Sequence, residues 1–470
     1  MQRRSLPAGS RLFVLCGLVV ANLLPLVGVV VWNWDVSTLL VLYYVEGVST
    51  TLVAGVKVLF AERASREFGT SNQPLAELRE KRGGWVPRRG WPPMYVRNVP
   101  FALTVLGVFT FVWLGYGVVL SFTVAVRLET VLSTVLVVNA AVLLVSHLVE
   151  FRTEYIGSGE CATVSARMVA ATPARQLLLL ICLVPFAGLV GSGAGDLLLG
   201  AVVCAKLAAE LAGFYAEHAG RPSGRIGRLL VGPRDTSAPP PELDLPDRRP
   251  DARVRPDTRA VLLGGLAPIL TGFASRPGYL AGVVLVFGVL VFSPTVVAAA
   301  ATALALVAAG KLASHYLRYG TVEYQRRGEQ LVAYDTALDE PQWATTVTSL
   351  DGVSAANHIS DRVLGTTTLS IAGIESDERD GVKLGPVANA TEAVARLDLP
   401  VDDAALQRPS ADHEVLAVAV VLGLCFAFVP VGLFVAPGVE TKTAVGVTLL
   451  LGPFFLVVVG LLVVSGLSRI

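Results

Sequence analysis

Long apolar runs recur along this chain, and they limit what it can fold into more than any other feature of the sequence. A helix of about 20 apolar residues crosses the hydrocarbon core of a bilayer. Charged residues make up 16% of the chain, well below the roughly 25% of soluble globular proteins. The sequence therefore predicts a polytopic α-helical membrane protein with about ten transmembrane helices. The predicted helices lie in residues 12–32, 36–60, 99–126, 131–151, 177–190, 197–215, 280–292, 296–312, 415–436 and 443–467.

A basic loop between the second and third apolar runs indicates how the helices are oriented. Residues 61–98 contain eight lysine or arginine residues, and loops of this composition stay on the cytosolic side. We therefore predict a multi-pass protein of the cell (plasma) membrane with both termini cytosolic. Trp85, Arg88, Arg89 and Trp91 lie in this loop, and we interpret them as interfacial anchors that meet lipid headgroups. Because this loop adjoins two apolar runs, we expect it to bind a membrane surface and not nucleic acid.

The middle of the chain is less apolar. Residues 219–259 contain nine arginines and eight prolines with little apolar material to bury, which predicts an extended cytosolic linker. The apolar run at 260–273 is only about 14 residues long, shorter than a bilayer crossing, so an interfacial or re-entrant helix is expected there. Whether this run crosses the membrane stays open at the level of sequence.

A soluble domain is indicated where the long apolar runs stop. Between residues 318 and 413 there are 16 acidic and eight basic residues, and apolar residues alternate with a period of two. Strands are predicted at 321–325, 331–338, 343–349, 353–357, 366–371 and 382–387, followed by a helix at 391–397. We expect this acidic domain on the same cytosolic side as the termini.

These observations together predict the domain organisation. The chain runs from a six-helix membrane block (1–218) through an Arg/Pro-rich cytosolic linker (219–259) and a short interfacial helix plus transmembrane hairpin (260–317) to a small β-domain (318–400) and a C-terminal transmembrane hairpin (401–470). The β-domain is thus expected as an insertion between membrane segments.

Short motifs in the β-domain are similar to those of a known family. Tyr334-Asp335 lies in the second predicted strand, residues 340–343 read Glu-Pro-Gln-Trp, and residues 361–368 read Asp-Arg-Val-Leu-Gly-Thr-Thr-Thr. With the short strands and the terminal helix, these motifs resemble the bacterial domains of pleckstrin-homology (PH)-like fold found beside paired transmembrane helices. The resemblance implies two sheets closed by the helix, and a role in assembly or membrane association.

An aromatic pair and a glutamate stand together in the second apolar run, as Tyr43-Tyr44-Val45-Glu46. With residues 57–60 and 206–218, this motif resembles an uncharacterised domain-of-unknown-function family of multi-pass prokaryotic membrane proteins. No activity is established for that family as a class. The resemblance therefore implies a membrane block and no particular reaction.

Glu46 is an unusual residue for an apolar run because it lies about ten residues into it, roughly 15 Å deep. An ionised side chain at that depth costs about 2.5–3.5 kcal/mol, so Glu46 should be protonated or face a partner. Lys206 lies at a similar depth in another run, one turn before Glu210. We expect Glu46, Lys206 and Glu210, with Tyr43 alongside, to form an intramembrane polar cluster. It is either a proton or cation site or a structural clasp between helices.

Other polar residues carry weaker signals. His147 and Glu150 lie near the end of the fourth apolar run, where long side chains reach the interface, and we interpret them as boundary anchors. The histidines and cysteines are dispersed, without the spacing of metal ligands or of a nucleophile with its base. The sequence therefore predicts no catalytic residue, no metal site and no cofactor.

Two functions fit these features better than an enzyme does. The first is a membrane-anchored scaffold or sensor that uses the cytosolic β-domain for assembly, contacting the lipid bilayer and either a membrane-protein partner or a second copy. The alternative is a proton- or ion-coupled transporter that uses Glu46 with Lys206 and Glu210. An enzyme acting on lipid or peptide substrates is the remaining class, and no residue pattern supports it.

Overall fold

The protein forms two compact units in the computed structural model. One consists of Met1–Arg79 and Gly84–Pro241, and the other of Glu80–Gly83 and Glu242–Ile470. The structure describes residues 36–63, 74–123, 134–183, 242–274, 294–356, 358–373, 382–401 and 413–440, together with isolated positions elsewhere. A short piece of the basic loop, Glu80–Gly83, therefore belongs to the second unit.

The first unit is mainly helical in its described part. Its elements are α1 (Val36–Phe60), β1 (Gly84–Trp85), β2 (Met94–Tyr95), α2 (Val99–Thr123), α3 (Thr134–Glu150) and α4 (Ala166–Leu183). The strands β1 and β2 form an antiparallel hairpin, and a π-helical turn, Phe151–Ile156, continues α3. The helix α1 packs against α2, α3 and α4 and is therefore central to this unit.

Small residues let the helices of the first unit approach one another. A Cβ atom added to Gly55 of α1 would lie 2.5 Å from Leu106 Cδ2 of α2, and one added to Gly47 would collide with the ring of Trp113. Close approach at glycine positions is typical of helices that pack in apolar surroundings. Where α1 ends, Val58 and Phe60 join Phe151 and Tyr155 in a buried cluster.

The second unit combines helices with two antiparallel sheets. Its elements are β3 (Ala252–Val254), α5 (Thr258–Ala274), α6 (Pro294–His315), β4 (Val322–Arg327), β5 (Gln330–Asp335), β6 (Glu340–Thr346), β7 (Gly352–Ala356), α7 (Ile359–Leu364), β8 (Thr367–Ala372), β9 (Val382–Val387), α8 (Ala390–Leu397) and α9 (His413–Val435). A π-helical turn, Tyr316–Gly320, continues α6 almost to the start of β4.

The strands form a four-stranded sheet in the order β3-β4-β5-β6 and a three-stranded sheet in the order β7-β8-β9. Apolar side chains from both sheets meet in one core with α8, and Tyr324, Leu331, Leu369, Leu384 and Leu397 are fully buried there. The strands predicted from period-two alternation are confirmed, with their ends displaced by a few residues. The predicted terminal helix is confirmed as α8.

The strand β3 was not predicted, because it lies within the segment interpreted as an extended linker. It pairs with β4, so that Val254 lies opposite Tyr324 and Arg253 opposite Gln325. Its residues do not alternate in polarity over the length of a typical strand. Their pairing partner lies about 70 residues further along the chain, beyond the reach of any local pattern.

The prediction of a polytopic protein with about ten transmembrane helices is wrong. Within the described residues, three helical stretches are long and apolar enough to cross a bilayer: Val41–Phe60, Val96–Val119 and Thr295–Gly320. The helix α4 contains two arginines, Arg167 and Arg175. An apolar run is therefore not equivalent to a spanning helix.

Candidate functional site

A stripe of polar side chains runs along one face of α1. Thr50 and Lys57 follow Glu46 by four and eleven residues, which at 100° per residue keeps the three within about 40° of one another. The stripe extends over about 16 Å of the helix axis at 1.5 Å per residue. Lys57 stands at its outer end, in the last turn of α1. The stripe thus runs from the end of the helix into the candidate span.

Two contacts join this stripe to α3, and a third lies within α3. Lys57 donates to Glu150, with 2.7 Å between Nζ and Oε1, the distance of a charge-assisted hydrogen bond. His147 Nδ1 lies 3.6 Å from Oε2 of Glu150, and His147 Nε2 lies 3.4 Å from Oγ1 of Thr50. Lys57, Glu150, His147 and Thr50 therefore form a continuous series of contacts, which we call the polar row.

The polar row is graded in exposure. The side chain of Glu150 is 45% exposed, whereas those of His147 and Lys57 are 22% and 17% exposed. Glu150 is also the last residue of α3, and His147 lies one turn earlier. Glu150 is therefore the most accessible member of the row.

Tyr155 holds the outer end of the polar row in place. Its hydroxyl donates to the carbonyl oxygen of Lys57 over 2.8 Å, and the ammonium of Lys57 lies 5.3 Å from its ring centroid. Tyr155 is 2% exposed, so it is a fixed part of the core. The backbone of Lys57 is thus anchored while its side chain reaches Glu150.

Two of the four residues predicted for the intramembrane polar cluster lie among the described residues. Glu46 and Tyr43 are half-buried on α1, about one turn apart, and both take part in polar or aromatic interactions. Thr50 donates its hydroxyl to the backbone carbonyl of Glu46 over 2.9 Å. Lys206 and Glu210 lie outside the described residues, so the cluster that they would complete stays a prediction.

Tyr44, in the same sequence motif, contributes to helix packing. Its ring makes an edge contact with Trp113, with 5.4 Å between ring centroids, and stacks on Tyr116 at 6.1 Å. Trp113 in turn donates its indole N–H to Thr51 over 3.0 Å. Aromatic pairs of this geometry stabilise by about 0.5–1.5 kcal/mol beyond the area they bury. Part of the Tyr-Tyr-x-Glu motif therefore fixes α2 on α1.

The predicted interfacial anchors do not behave alike. Trp85 is 64% exposed, and Arg88 and Arg89 are also exposed. Trp91 instead packs against Phe60 and Phe151, with ring centroids 6.0 Å away in each case. Trp85, Arg88 and Arg89 are thus free to meet headgroups, which stays a prediction, while Trp91 joins the core.

The β-domain contains a buried ion pair. Lys81 and Asp335 are 5% and 0% exposed, and their charged groups are in direct contact. Asp335 also accepts from the hydroxyl of Thr321 over 2.8 Å and from the amides of Ala337 and Leu338 over 2.8 and 2.9 Å. Burial lowers the pKa of Lys81, and the hydrogen bond and charge of Asp335 oppose that shift. The pair lies at the end of β5, and both carboxylate oxygens of Asp335 accept hydrogen bonds.

The motif at residues 361–368 has a structural explanation. Asp361 is 3% exposed and accepts from the hydroxyl of Thr366 over 2.7 Å and from the amide of Thr368 over 2.9 Å. Gly365 follows α7 with a φ of 69°, a left-handed conformation that glycine adopts without strain. These contacts connect α7 to β8, so the motif shapes a turn.

Glu323 is a third buried carboxylate in the β-domain, with an exposure of 2%. It accepts from Arg255 over 2.7 Å and from Gln325 over 2.9 Å, and it lies 3.6 Å from Arg253. Burial by itself raises the pKa of Glu323, but these partners together outweigh it and hold the pKa below its usual range. This carboxylate ties β3 to β4.

His147 and Glu150 are the site residues whose role the sequence analysis missed. They were interpreted as boundary anchors that reach the interface, whereas both contact side chains of α1. Their three-residue spacing places both side chains on one face of a helix, and the sequence shows this. The sequence does not show which helix that face contacts. Among the described residues, no group of three or more His, Cys, Asp or Glu side chains is placed to hold a metal ion.

The N-terminal part of the chain is similar to a known protein family. Residues 4–225, just under half of the chain, match the model of a family of unknown function (DUF6498). No curated protein and no solved structure matches the chain. The N-terminal part is therefore similar to an uncharacterised domain family, as the sequence analysis expected, and the match assigns no activity to the polar row.

Proposed function

We propose that the protein is a membrane-anchored scaffold or sensor whose β-domain is held at a bilayer surface for assembly. One observation carries this proposal: α5 and α6 are inserted between two neighbouring strands of one sheet. β3 ends at Val254 and α5 begins at Thr258, while the candidate span ends at Gly320 and β4 begins at Val322. Because β3 and β4 are hydrogen-bonded to each other, a span at α6 would carry the sheet directly on its end.

The base of this helix pair is tightly packed, which supports a rigid connection. A Cβ atom on Gly265 of α5 would lie 2.8 Å from Leu312 Cδ1 of α6, and one on Gly264 would lie 3.3 Å from Ser360 Oγ of α7. The amide of Asp257 donates to the carbonyl of Pro386 in β9 over 2.7 Å. Motion of the β-domain relative to its own helix pair would therefore require core contacts to break.

The order of the strands supports the PH-like interpretation of this domain. Four antiparallel strands are followed by three more and then by a helix that packs on the core. In the family that this domain resembles, such domains serve as assembly or membrane-association modules. We extend that role to this chain, with the β-domain and both termini on the cytosolic side of the plasma membrane.

Two measurements on the full-length protein test this function. In the first, membranes are extracted with alkaline carbonate and floated on a density gradient, and we expect the protein to stay with the lipid. In the second, a photo-crosslinking amino acid is placed at the exposed β-domain positions Thr348, Ser354 and Thr391. We expect crosslinks to a second copy or to another membrane protein. Release by carbonate, or crosslinks to lipid alone, would contradict the proposal.

A proton- or ion-coupled transporter is the second candidate, and the polar stripe on α1 favours it. An ionisable residue inside a spanning helix is by default a functional candidate, because its burial is costly. Glu46 shares the stripe with Thr50 and Lys57, both of which contact α3. Lys206 and Glu210 are kept as its predicted partners. The test is proton flux into liposomes that contain the full chain or its Glu46→Gln variant.

A further inference from the structure

We propose that α7 inserts its two exposed apolar side chains, Val363 and Leu364, into the headgroup region of the bilayer that α6 crosses. This inference rests on the proposed function and deepens it, because it names the surface with which the β-domain contacts lipid. The hydrogen bonds of the 361–368 motif run from Asp361 to Thr366 and Thr368 and do not involve this apolar pair. The pair therefore has no role in shaping the turn.

The helix α7 belongs to the end of the three-stranded sheet that lies at the helix pair. It connects the end of β7, at Ala356, to the start of β8, at Thr367. Thr367 pairs with Val387 at the end of β9. The neighbouring Pro386 accepts from the amide of Asp257, one residue before α5. These contacts bring the α7 end of the sheet to the base of α5.

Direct contacts place α7 at the level where α6 changes from apolar to polar. A Cβ atom added to Gly264 of α5 would lie 3.3 Å from Ser360 Oγ of α7 and 3.7 Å from His315 Nε2 of α6. Residues 295–310 of α6 carry no charge, whereas Lys311 is exposed and His315 follows one turn later. Long basic side chains near the end of a spanning helix reach the lipid headgroups. In a bilayer crossed by α6, α7 therefore lies at headgroup height.

The apolar pair lies on the side of α7 that faces the helix pair. At 100° per residue, Val363 and Leu364 lie within about 60° of Ser360, the buried residue nearest α5. Val363 is 57% exposed and Leu364 is 41% exposed. Single exposed apolar side chains are common on soluble domains, so it is the position of this pair that indicates its partner. Two adjacent apolar side chains beside a spanning helix, at headgroup height, are placed to contact lipid.

The way in which α7 is attached makes this lipid contact shallow and fixed. Apolar side chains of interfacial helices enter the boundary between headgroups and acyl chains by about 5–10 Å. Asp361 ties α7 to β8 through two hydrogen bonds and is itself buried, so α7 cannot sink further without breaking core contacts. The β-domain would then meet the membrane at two places, α6 and α7. A second point of attachment fixes the tilt of the domain and hence the direction in which its assembly surface faces.

The experiment uses the full-length protein in vesicles of phosphatidylcholine and phosphatidylglycerol. A genetically encoded fluorescent amino acid replaces Val363 or Leu364, and its quenching is measured with lipids that carry a nitroxide near the headgroup or near the end of the acyl chain. The control position is Thr348, which is exposed and precedes β7, whereas α7 follows that strand of about 16 Å. Val363→Asp is also combined with the probe at Leu364, with Thr348→Asp as its matched control. In a further arm, a photo-crosslinking amino acid replaces Val363.

We expect the headgroup nitroxide to quench the probes at Val363 and Leu364 at least about threefold more than the probe at Thr348, and more than the chain-end nitroxide does. Val363→Asp should lower quenching at Leu364 at least about twofold, because a charge resists entry into lipid, and Thr348→Asp should not. If quenching is equal at all three positions, or Val363→Asp has no effect, while the protein resists carbonate extraction, the α7 contact is wrong and the membrane anchor stands. Crosslinks from Val363 to a second copy or another protein would likewise replace lipid as the partner. Release by carbonate would overturn both proposals.

Discussion

The two units of this protein bury charged groups in different ways. In the β-domain, Asp335 accepts from Lys81, from one hydroxyl and from two backbone amides, and it is fully buried. In the helical unit, His147 has two long contacts and the neighbouring Glu150 is 45% exposed. A buried polar network with every member satisfied fixes one structure, whereas a row with long contacts and an exposed member is held less tightly. We infer from this difference that the buried charges of the β-domain are structural, and the polar row is the place where the second candidate function is to be tested.

The largest effect is expected for Asp335→Asn. This substitution leaves the Lys81 ammonium buried without a carboxylate, which should cost about 3–5 kcal/mol of local stability. Hydrogen exchange of β5 in the full-length protein, measured by mass spectrometry, reports this loss. The double variant Lys81→Met with Asp335→Asn removes the orphaned charge and should recover much of the protection. Unchanged exchange in Asp335→Asn would show that this pair is not structural.

A smaller loss, of about 1–3 kcal/mol, is expected for Asp361→Asn. Asparagine offers one carbonyl oxygen where Asp361 uses two, so either Thr366 or Thr368 loses its acceptor. The matched control is Glu392→Gln, which removes an exposed ion pair with Arg396 and should cost no more than about 0.5 kcal/mol. Exchange rates in β8 distinguish the two variants. Equal effects would show that the two contacts of Asp361 do not stabilise the turn.

The β3–β4 pairing should weaken in acid because the pKa of Glu323 is lower in the folded protein than in the unfolded chain. Such a carboxylate contributes its full stabilisation above its unfolded pKa of about 4.3 and loses it as the pH falls through the folded pKa. The protection of β3 and β4 against exchange, relative to the intrinsic amide rate at each pH, should therefore fall below about pH 4. In Glu323→Gln this loss of protection should be absent. Protection that rises as the pH falls would reverse the assigned direction of the pKa.

The smallest effect on stability is expected for Glu150→Gln in the polar row. The pair that it forms with Lys57 is half-exposed, and such pairs contribute about 0–1 kcal/mol. Exchange in α1 and α3 should stay close to that of wild type. A loss of stability as large as that of Asp335→Asn would show that the two units do not differ in this respect. The polar row would then be a structural contact between helices.

Local patterns in the sequence determined much of the secondary structure. The helix α1 and the strand β9 have the predicted bounds, Val36–Phe60 and Val382–Val387, because hydrophobic periodicity is a property of neighbouring residues. The same patterns overstated the number of spanning helices. Within the described residues, three helical stretches are long and apolar enough to cross a bilayer.

The tertiary structure alone decided which distant residues meet. Lys57 contacts Glu150 across 93 positions, Lys81 bonds to the Leu317 carbonyl across 236, and β3 pairs with β4 from inside an arginine- and proline-rich segment. Each of these contacts depends on the packing of whole elements, which no local pattern encodes. The sequence by itself determined that Glu46 is a costly residue within an apolar helix. Which residues pair with Glu46, and so lower the free-energy cost of its burial, depends on the helix that α1 contacts. Burial and pairing are properties of the packed interface.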